Sequence, residues 1–194
     1  MPTHQRYARV LGELGFPLEL QNGDVLPPEP LPPAFADLGQ EGTWVGLAPF
    51  AAHSGKTYPR ELMERLIDLL GQQEGLRVVL FGGGKKEVEI LDAWEAAFPY
   101  CFSAAGKASL PEELALISRL QLMVSMDSGN GHLAAMYGVP VITLWGVTHP
   151  YTGFAPFGQP EENALTADRT LFPAVPTSIY GNQVPEGYEK AMGS

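Results

Sequence analysis

The sequence has little positive charge, a single cysteine and no long apolar run. Its 12 Lys and Arg residues face 22 acidic residues, giving a formal net charge of -10 at pH 7, which argues against nucleic acid or anionic lipid as a partner. A lone cysteine, Cys101, excludes an intramolecular disulfide and fits a reducing compartment. The N-terminal segment lacks the apolar stretch of a signal peptide, and no window reaches about 18 uninterrupted apolar residues. These absences predict a soluble protein with no direct membrane insertion.

What the sequence does contain favours one domain with many turns. Its 194 residues, 45% of them hydrophobic, are enough to bury one substantial core. The 22 glycines and 18 prolines are too many for a plain helical bundle and suit a fold with frequent turns between strands and helices.

The first 42 residues differ from the rest of the chain. Residues 4–14 carry apolar side chains at spacings of three and four, which predicts a short amphipathic helix that ends at Gly15. Residues 17–42 contain six prolines among polar residues and glycines, and we predict a linker outside the core. The predicted organisation is a helix and Pro-rich linker at 1–42 followed by a domain at 43–194.

From Thr43 onward, short apolar runs alternate with amphipathic segments. This pattern is typical of a parallel sheet covered by helices on both faces, a Rossmann-like α/β fold. The predicted strands are 43–50, 76–81, 101–102, 121–126 and 139–145, and the predicted helices are 59–70, 85–98, 111–120, 128–137 and a last fragment at 184–192.

Ligands of open parallel sheets bind beyond the carboxyl ends of the strands, so the segments that follow the strands are the most informative. The first of these ends in Ser-Gly-Lys-Thr at 54–57, which resembles the end of a P-loop. However, Phe50 stands where a P-loop has its first glycine, and Pro59 starts the next helix too late to cradle phosphate. Lys56 remains a candidate to contact an anionic ligand such as a diphosphate.

The second segment contains Gly82, Gly83 and Gly84, which allow close approach of a ligand to the backbone. The spacing does not match a dinucleotide fingerprint, because Glu87 stands where the third glycine is required. Glu87 either accepts hydrogen bonds from ribose hydroxyls or simply stabilises the start of its helix through the macrodipole.

The third segment is the most informative. Asp127 ends a strand, and Ser128 and Gly129 begin a helix whose unpaired amides can bind an anion. His132, one turn into that helix, either donates to a phosphate oxygen or serves in packing. The motif of a serine hydrolase is absent around Ser128, and the four histidines lack metal-ligand spacing, so we expect no metal.

Several motifs together resemble the heptosyltransferase family of lipopolysaccharide glycosyltransferases. The stretch SMDSGNGHLAAMYGVPVITLWGVTHP is similar to that family's signature D-[ST]-G-x-x-H-L-A-A, followed by G-x-P and [FYW]-G-x-T-x-P. APFAAHSGKTYP resembles its loop ending in Lys-x-Trp-Pro, with Tyr58 in place of the usual Trp, and FGGGKKE resembles its Gly-rich turn. The chain also departs from the family at Ser128, where Thr is common, and in the Gly-Asn-Gly sequence that follows. The resemblance covers residues 44–150.

The resemblance implies the C-terminal half of a GT-B glycosyltransferase, which holds an ADP-sugar donor without a metal or other cofactor. It implies a cytoplasmic protein, at the inner face of the inner membrane, that meets the lipopolysaccharide core acceptor through an N-terminal half absent from this sequence. That half carries the family's catalytic base, and no residue here matches it. The donor-binding residues that the resemblance implies are Lys56 and His132 with Ser128 and Gly129 for the diphosphate, Asp127 for the sugar, Glu87 for the ribose, and Lys107, Ala108 and Ser109 for the adenine.

Two other functions are compatible with the sequence. Because only one half of such an enzyme is present, a non-catalytic module that binds nucleotide sugars is one alternative. A P-loop-like NTPase is the other, since Ser54 to Thr57 follow a predicted strand.

Overall fold

The computed structural model describes residues 1–38, 42–184, 186 and 188. This part of the chain forms a parallel sheet of six strands with α-helices packed around it. The strands are β1 (Thr43–Ala48), β2 (Leu76–Leu80), β3 (Cys101–Ser103), β4 (Leu122–Met126), β5 (Val141–Leu144) and β6 (Ala164–Leu165). The α-helices are α1 (Thr3–Glu13), α2 (Arg60–Gly71), α3 (Lys85–Ala97), α4 (Leu110–Ile117) and α5 (Gly129–Met136).

The strand order is β3-β2-β1-β4-β5-β6. The chain therefore winds outward from β1 in one direction through β2 and β3, and then returns to the other side of β1 with β4. The loops that follow β1 and β4 diverge at this reversal, which leaves a crevice at the carboxyl ends of the two strands. The fold class predicted from the sequence, a Rossmann-like parallel α/β sheet, is confirmed.

Side chains along the central strands point alternately to the two faces of the sheet, and each face has its own hydrophobic core. In β1, Trp44 and Ala48 pack on one face of the sheet, while Val45 and Leu47 pack on the opposite face. The first face is covered by residues of α4 and α5, such as Leu116, and the second by residues of α2 and α3. Because both faces are buried, the strands need apolar residues at nearly every position, as the sequence pattern indicated.

Each predicted strand and α-helix from residue 43 to 145 is present, and the predicted ends differ from the observed ones by at most three residues. Sequence reasoning missed β6, because two residues, Ala164 and Leu165, are too short to give a periodic pattern. Most of the helical fragment predicted at 184–192 lies outside the described residues.

The prediction that residues 17–42 stay outside the core is wrong for the end of that segment. Residues Pro33–Leu38 form a 3-10 helix, and Phe35, only 5% exposed, packs with Leu38 in the core cluster of α4 and α5. Phe35 also contacts Phe102 edge to face, with ring centroids 5.7 Å apart. Proline content predicted a linker here, but it does not show whether the apolar residues between the prolines are buried.

Helix α1 stands apart from both cores. None of its residues is buried, and its apolar stripe of Tyr7, Val10 and Leu11, continued by Leu14, is exposed.

In the part of the chain that the structure describes, no helix has the length and apolar character needed to cross a membrane.

Candidate functional site

The carboxyl ends of β1 and β4 bring together two residues that lie far apart in the sequence. Lys56, in the 3-10 turn Ser54–Lys56 after β1, contacts Asp127, the residue that follows β4. The Lys56 Nζ lies 2.7 Å from Asp127 Oδ2, and the two side chains are only 15% and 5% exposed. Thr148 Oγ donates a hydrogen bond of 3.1 Å to the same carboxylate oxygen. The sequence singled out Lys56 and Asp127 separately, and the fold makes them one ion pair.

Residues from the C-terminal third of the chain hold the turn that presents Lys56. The Gly55 carbonyl accepts hydrogen bonds from the Val147 N–H, at 2.8 Å, and from the Tyr188 hydroxyl, at 2.9 Å. The stem of Lys56 runs along Gly181, where an added Cβ would come within 2.5 Å of Lys56 Cγ. These contacts fix the direction of the lysine, and no local sequence signal predicted them.

A cavity of about 320 Å³ lies beside this ion pair, at the ends of β1, β2 and β4. Its walls carry the Gly-rich turn after β2 and the start of α5, and its lining residues are Phe50, Ala51, Ala52, Phe81, Gly82, Gly83, Glu87, Glu113, Ser128, Gly129 and Asn130. The structure thus places the predicted residues Glu87, Ser128 and Gly129 around one cavity. Lys56, Asp127 and His132 lie outside its lining.

The start of α5 forms one wall of this cavity. Ser128 precedes the helix in an extended conformation, and its hydroxyl is buried without a hydrogen-bond partner among the described residues. The space next to Gly129 is open, because an added Cβ would meet nothing within 4 Å. Further in, Gly131 packs so closely on β4 that a Cβ would lie 2.5 Å from Ser125 Oγ. Open space at the first turn of a helix, where the N–H groups lack partners within the helix, suits an anionic ligand.

Glu87 is held at the cavity by the Gly-rich turn. Its Oε2 accepts a hydrogen bond of 2.8 Å from the Gly83 N–H, and Gly84 starts α3 with a φ of 79°, which other residues rarely adopt. The carboxylate therefore stabilises the turn as well as facing the cavity, so the two interpretations of Glu87 given by the sequence are compatible.

Glu113 is a wall residue of the cavity that sequence reasoning missed. It lies in the first turn of α4, where an acidic residue ordinarily signals helix stabilisation. In the fold it is half-buried and lines the cavity opposite α5, and burial raises its pKa. Thr148 was also missed, although it stands in the quoted motif, because only the fold shows that its hydroxyl reaches Asp127.

His132 lies in α5 but does not line the cavity. His132 is an exposed residue, but desolvation by the surrounding protein atoms lowers the pKa of its imidazole from the ordinary value of 6.5. The charge of Asp127 opposes this shift, while His4 and Lys56 reinforce it. The free protein therefore carries a predominantly neutral His132 at pH 7.

Residues Lys107, Ala108 and Ser109 follow β3 at the same edge of the sheet but do not line the cavity. Lys107 forms ion pairs with Glu95 and, at 3.6 Å, with Asp92 on α3. Ser109 donates hydrogen bonds from its N–H and its hydroxyl to Glu112, at 2.8 and 2.7 Å, and so caps α4. Ala108 packs against the core.

The geometry of a P-loop is absent from the described residues. Gly55 and Lys56 lie in a 3-10 turn, and α2 begins only at Arg60, so the amides of this segment are not the first turn of a helix. Within the same residues, no cluster of three or more His, Cys, Asp or Glu side chains could hold a metal ion.

The sequence of the chain matches that of known proteins over this whole region. The model of glycosyltransferase family 9 (heptosyltransferase) matches residues 14–170, which is well over half of the chain. Lipooligosaccharide heptosyltransferase 2 of Haemophilus influenzae is 36% identical over 111 residues, covering 55% of this chain and 32% of that protein. The match therefore spans about a third of the length of that relative.

Solved structures agree with this match. The chain superposes on the Escherichia coli heptosyltransferase WaaC with ADP, at 28% identity and a TM-score of 0.54, over 64% of this chain and 37% of that one. It also resembles a family 9 glycosyl transferase of Veillonella parvula, at 22% identity and a TM-score of 0.70, over 85% and 48% of the two chains, a likeness that concerns the fold. On the strength of the match over residues 14–170, the chain belongs to glycosyltransferase family 9, the heptosyltransferases.

Proposed function

We propose that this chain is the donor-binding domain of an inverting glycosyltransferase that transfers heptose, or a related sugar, from an ADP-sugar to lipopolysaccharide core. The observation that carries the proposal is the cavity at the reversal of strand order, which is lined by the Gly-rich turn and by the start of α5, where the space next to Gly129 is open. Its location is the one at which parallel α/β sheets bind nucleotides. The Escherichia coli relative, whose structure contains ADP, supports an adenine nucleotide as the ligand.

The charges around the cavity suggest the direction of the bound nucleotide. Glu87 and Glu113 line one part of it, and their carboxyl groups accept hydrogen bonds from hydroxyls but repel phosphate. The start of α5 and the cation Lys56 lie on the other side and favour a diphosphate. The nucleoside therefore occupies the side of Glu87 and Glu113, and the diphosphate extends past Gly129 toward Lys56 and His132. The sugar then reaches Asp127.

The same groups explain how the chain favours departure of the nucleotide. Negative charge develops on the diphosphate as the bond to the sugar breaks, and Lys56 and the N–H groups of α5 stabilise that charge without a metal. Deprotonation of the acceptor and binding of the lipopolysaccharide core belong in this proposal to a second, N-terminal half. The exposed apolar stripe of α1 is available to contact that half, and we place the whole enzyme in the cytoplasm at the inner face of the inner membrane.

The first test is nucleotide binding by variants that block the cavity without disturbing the fold. Gly129→Leu puts a side chain into open space in the first turn of a helix, where leucine favours helix formation over glycine. We expect wild-type protein to bind ADP with a Kd on the order of 10 to 1,000 µM, and Gly129→Leu to weaken binding at least tenfold at unchanged Tm. Isothermal titration calorimetry with ADP, GDP and UDP measures this.

Gly12→Leu is the matched control, because Gly12 is also helical and also faces open space, but on α1. It should bind ADP as the wild type does. Failure of the wild type to bind any nucleotide, or equal binding by Gly129→Leu, would contradict the site. Tighter binding of GDP or UDP than of ADP would be consistent with a nucleotide site in this cavity but would contradict an ADP-sugar as the donor.

The second test measures proton uptake when ADP binds. A diphosphate next to His132 should raise the pKa of its imidazole, which burial keeps below 6.5 in the free protein, so ADP binding should take up protons near pH 6.5. Calorimetry in buffers of different ionisation enthalpy gives the number of protons, and we expect uptake to disappear in His132→Gln. His149→Gln, another histidine whose pKa is lowered by burial, should retain it. Uptake that persists in His132→Gln would remove this residue from the diphosphate site.

A further inference from the structure

A second and larger cavity lies on the other side of the sheet reversal, along β5. It has a volume of about 750 Å³ and is enclosed by the start of α1, by β5 and β6, and by the loops at residues 149–161. It shares no lining residue with the nucleotide cavity. Its size lies within the range of small-molecule sites, about 300 to 1,000 Å³.

Trp145 supplies the observation that points to a ligand. Trp145 is one of the residues that line the cavity and is only 4% exposed, yet its buried indole N–H has no acceptor among the described residues. Trp94 shows the ordinary case, since its indole N–H donates a hydrogen bond of 2.7 Å to Glu64. Leaving a buried donor unpaired is costly, and a bound acceptor removes that cost.

His149 and Tyr151 form an aromatic wall of the same cavity. Their ring centroids are 4.3 Å apart, and Tyr151 is 86% exposed, so its ring is free to pack against a ligand. His149 Nδ1 accepts a hydrogen bond of 3.2 Å from the Tyr151 N–H, which places the imidazole proton on Nε2. Burial lowers the His149 pKa, so this histidine is a neutral donor at pH 7.

The remaining lining residues define the charge that the cavity accepts. Glu161 is the acidic residue, Thr143 and Asn163 are neutral hydrogen-bonding residues, and the described lining contains no lysine or arginine. Met1, which also lines the cavity, carries the N-terminal ammonium, so the lining offers one carboxylate and one ammonium and favours neither an anion nor a cation. Aromatic rings with a few neutral donors and acceptors suit a ligand that has apolar C–H faces and many hydroxyls.

We propose that this cavity binds a neutral saccharide ring, with the Trp145 indole N–H donating to a ring or hydroxyl oxygen and Tyr151 packing against a C–H face. The ring could belong to a free oligosaccharide or to the glycosyl group of a nucleotide sugar. Both present the same chemistry to the cavity, and the experiment separates them. The proposal does not depend on nucleotide binding in the other cavity.

The indole N–H signals of the three tryptophans give a direct readout by ¹H–¹⁵N NMR, with Trp145→Phe used to assign the signal of Trp145. The 194-residue chain is titrated separately with methyl α-D-mannopyranoside, ADP-glucose and ADP. We expect the mannoside to shift the Trp145 signal in a saturable manner at millimolar concentration and to leave that of Trp94 in place. Tyr151→Ala, which removes an exposed ring, should raise the Kd three- to tenfold, while Gly129→Leu should not change it.

Each outcome decides the proposal. A shift with ADP-glucose but with neither ADP nor the mannoside supports it, identifies the nucleotide sugar as the source of the ring, and moves the donor sugar from Asp127 to this cavity. A shift with the mannoside supports the free saccharide. No shift with either sugar overturns the proposal, and so does an equal shift with ADP alone or a Kd unchanged in Tyr151→Ala. Loss of ADP binding in Gly129→Leu does not bear on the saccharide proposal, so the experiment tests the two cavities independently.

Discussion

Replacing Asp127 by alanine is expected to lower the free energy of unfolding by about 3 kcal/mol, because it leaves Lys56 charged and unpaired in a nearly buried position. The Lys56 Nζ is 2.7 Å from the lost carboxylate and its side chain is 15% exposed, so water replaces little of the lost interaction. Thr148, which is completely buried, also loses the acceptor of its hydroxyl. Urea denaturation of the variant and the wild type measures the difference.

The double variant Lys56→Met with Asp127→Asn separates the cost of an unpaired charge from the value of the pair. Because both charges are removed, we expect it to recover most of the stability that Asp127→Ala loses. Asp92→Ala is the matched control, since Asp92 also pairs with a lysine but is 49% exposed. It should cost no more than about 1 kcal/mol. An equally small effect of Asp127→Ala would show that the pair is not held as the structure has it.

Replacing Lys56 by methionine is expected to weaken ADP binding by about 10- to 100-fold, the range for loss of one hydrogen bond to a charged group, about 1.5 to 3 kcal/mol. Methionine preserves the apolar stem that runs along Gly181 and removes the ammonium group. Calorimetry with ADP measures the change in Kd. In the wild type, the diphosphate has to compete with Asp127 for Lys56, so the measured loss is a net value.

Two further variants distinguish a contact with phosphate from a structural effect. If Lys56 contacts the diphosphate, Lys56→Met combined with Asp127→Asn should still bind ADP weakly, although its stability recovers. If the double variant binds ADP like the wild type, Lys56 only neutralises Asp127, and the contact with phosphate is rejected. Arg77→Met removes the same charge at the amino end of β2, on the opposite edge of the sheet. It should leave ADP binding unchanged.

Much of the candidate site could be predicted from the sequence, because the carboxyl ends of parallel strands meet at one edge of the sheet. Once the strands that end near Ala48 and Met126 were recognised, the segments that follow them had to lie close together. Glu87, Ser128 and Gly129 indeed line one cavity. Glu113 was missed because an acid in the first turn of a helix has an ordinary explanation, and the sequence does not show which face of α4 turns toward the cavity.

Other predicted residues do not line the cavity, namely Lys107, Ala108 and Ser109. Their position after β3 placed them at the same edge, but edge position does not determine side-chain direction. The carboxylates of Asp92 and Glu95, on the preceding helix, pair with Lys107, and Glu112 binds Ser109. Asp92, Glu95 and Glu112 are present in the sequence, but the sequence does not show that they lie close enough to pair with Lys107 and Ser109. Those distances are set by the packing of the helices.

The sequence by itself determined the alternation of strands and helices, the reversal edge where a ligand can bind, and the small residues that keep that edge open. These features follow from local periodicity and from the steric freedom of glycine. Only the tertiary structure decided that Phe35 and Leu38 are buried, that Lys56 faces Asp127, and that Trp145, beside a second cavity, keeps a buried donor without an acceptor among the described residues. Burial and pairing of these side chains depend on contacts between segments distant in the sequence, such as the hydrogen bond from Tyr188 to Gly55. Local residue patterns do not predict such contacts.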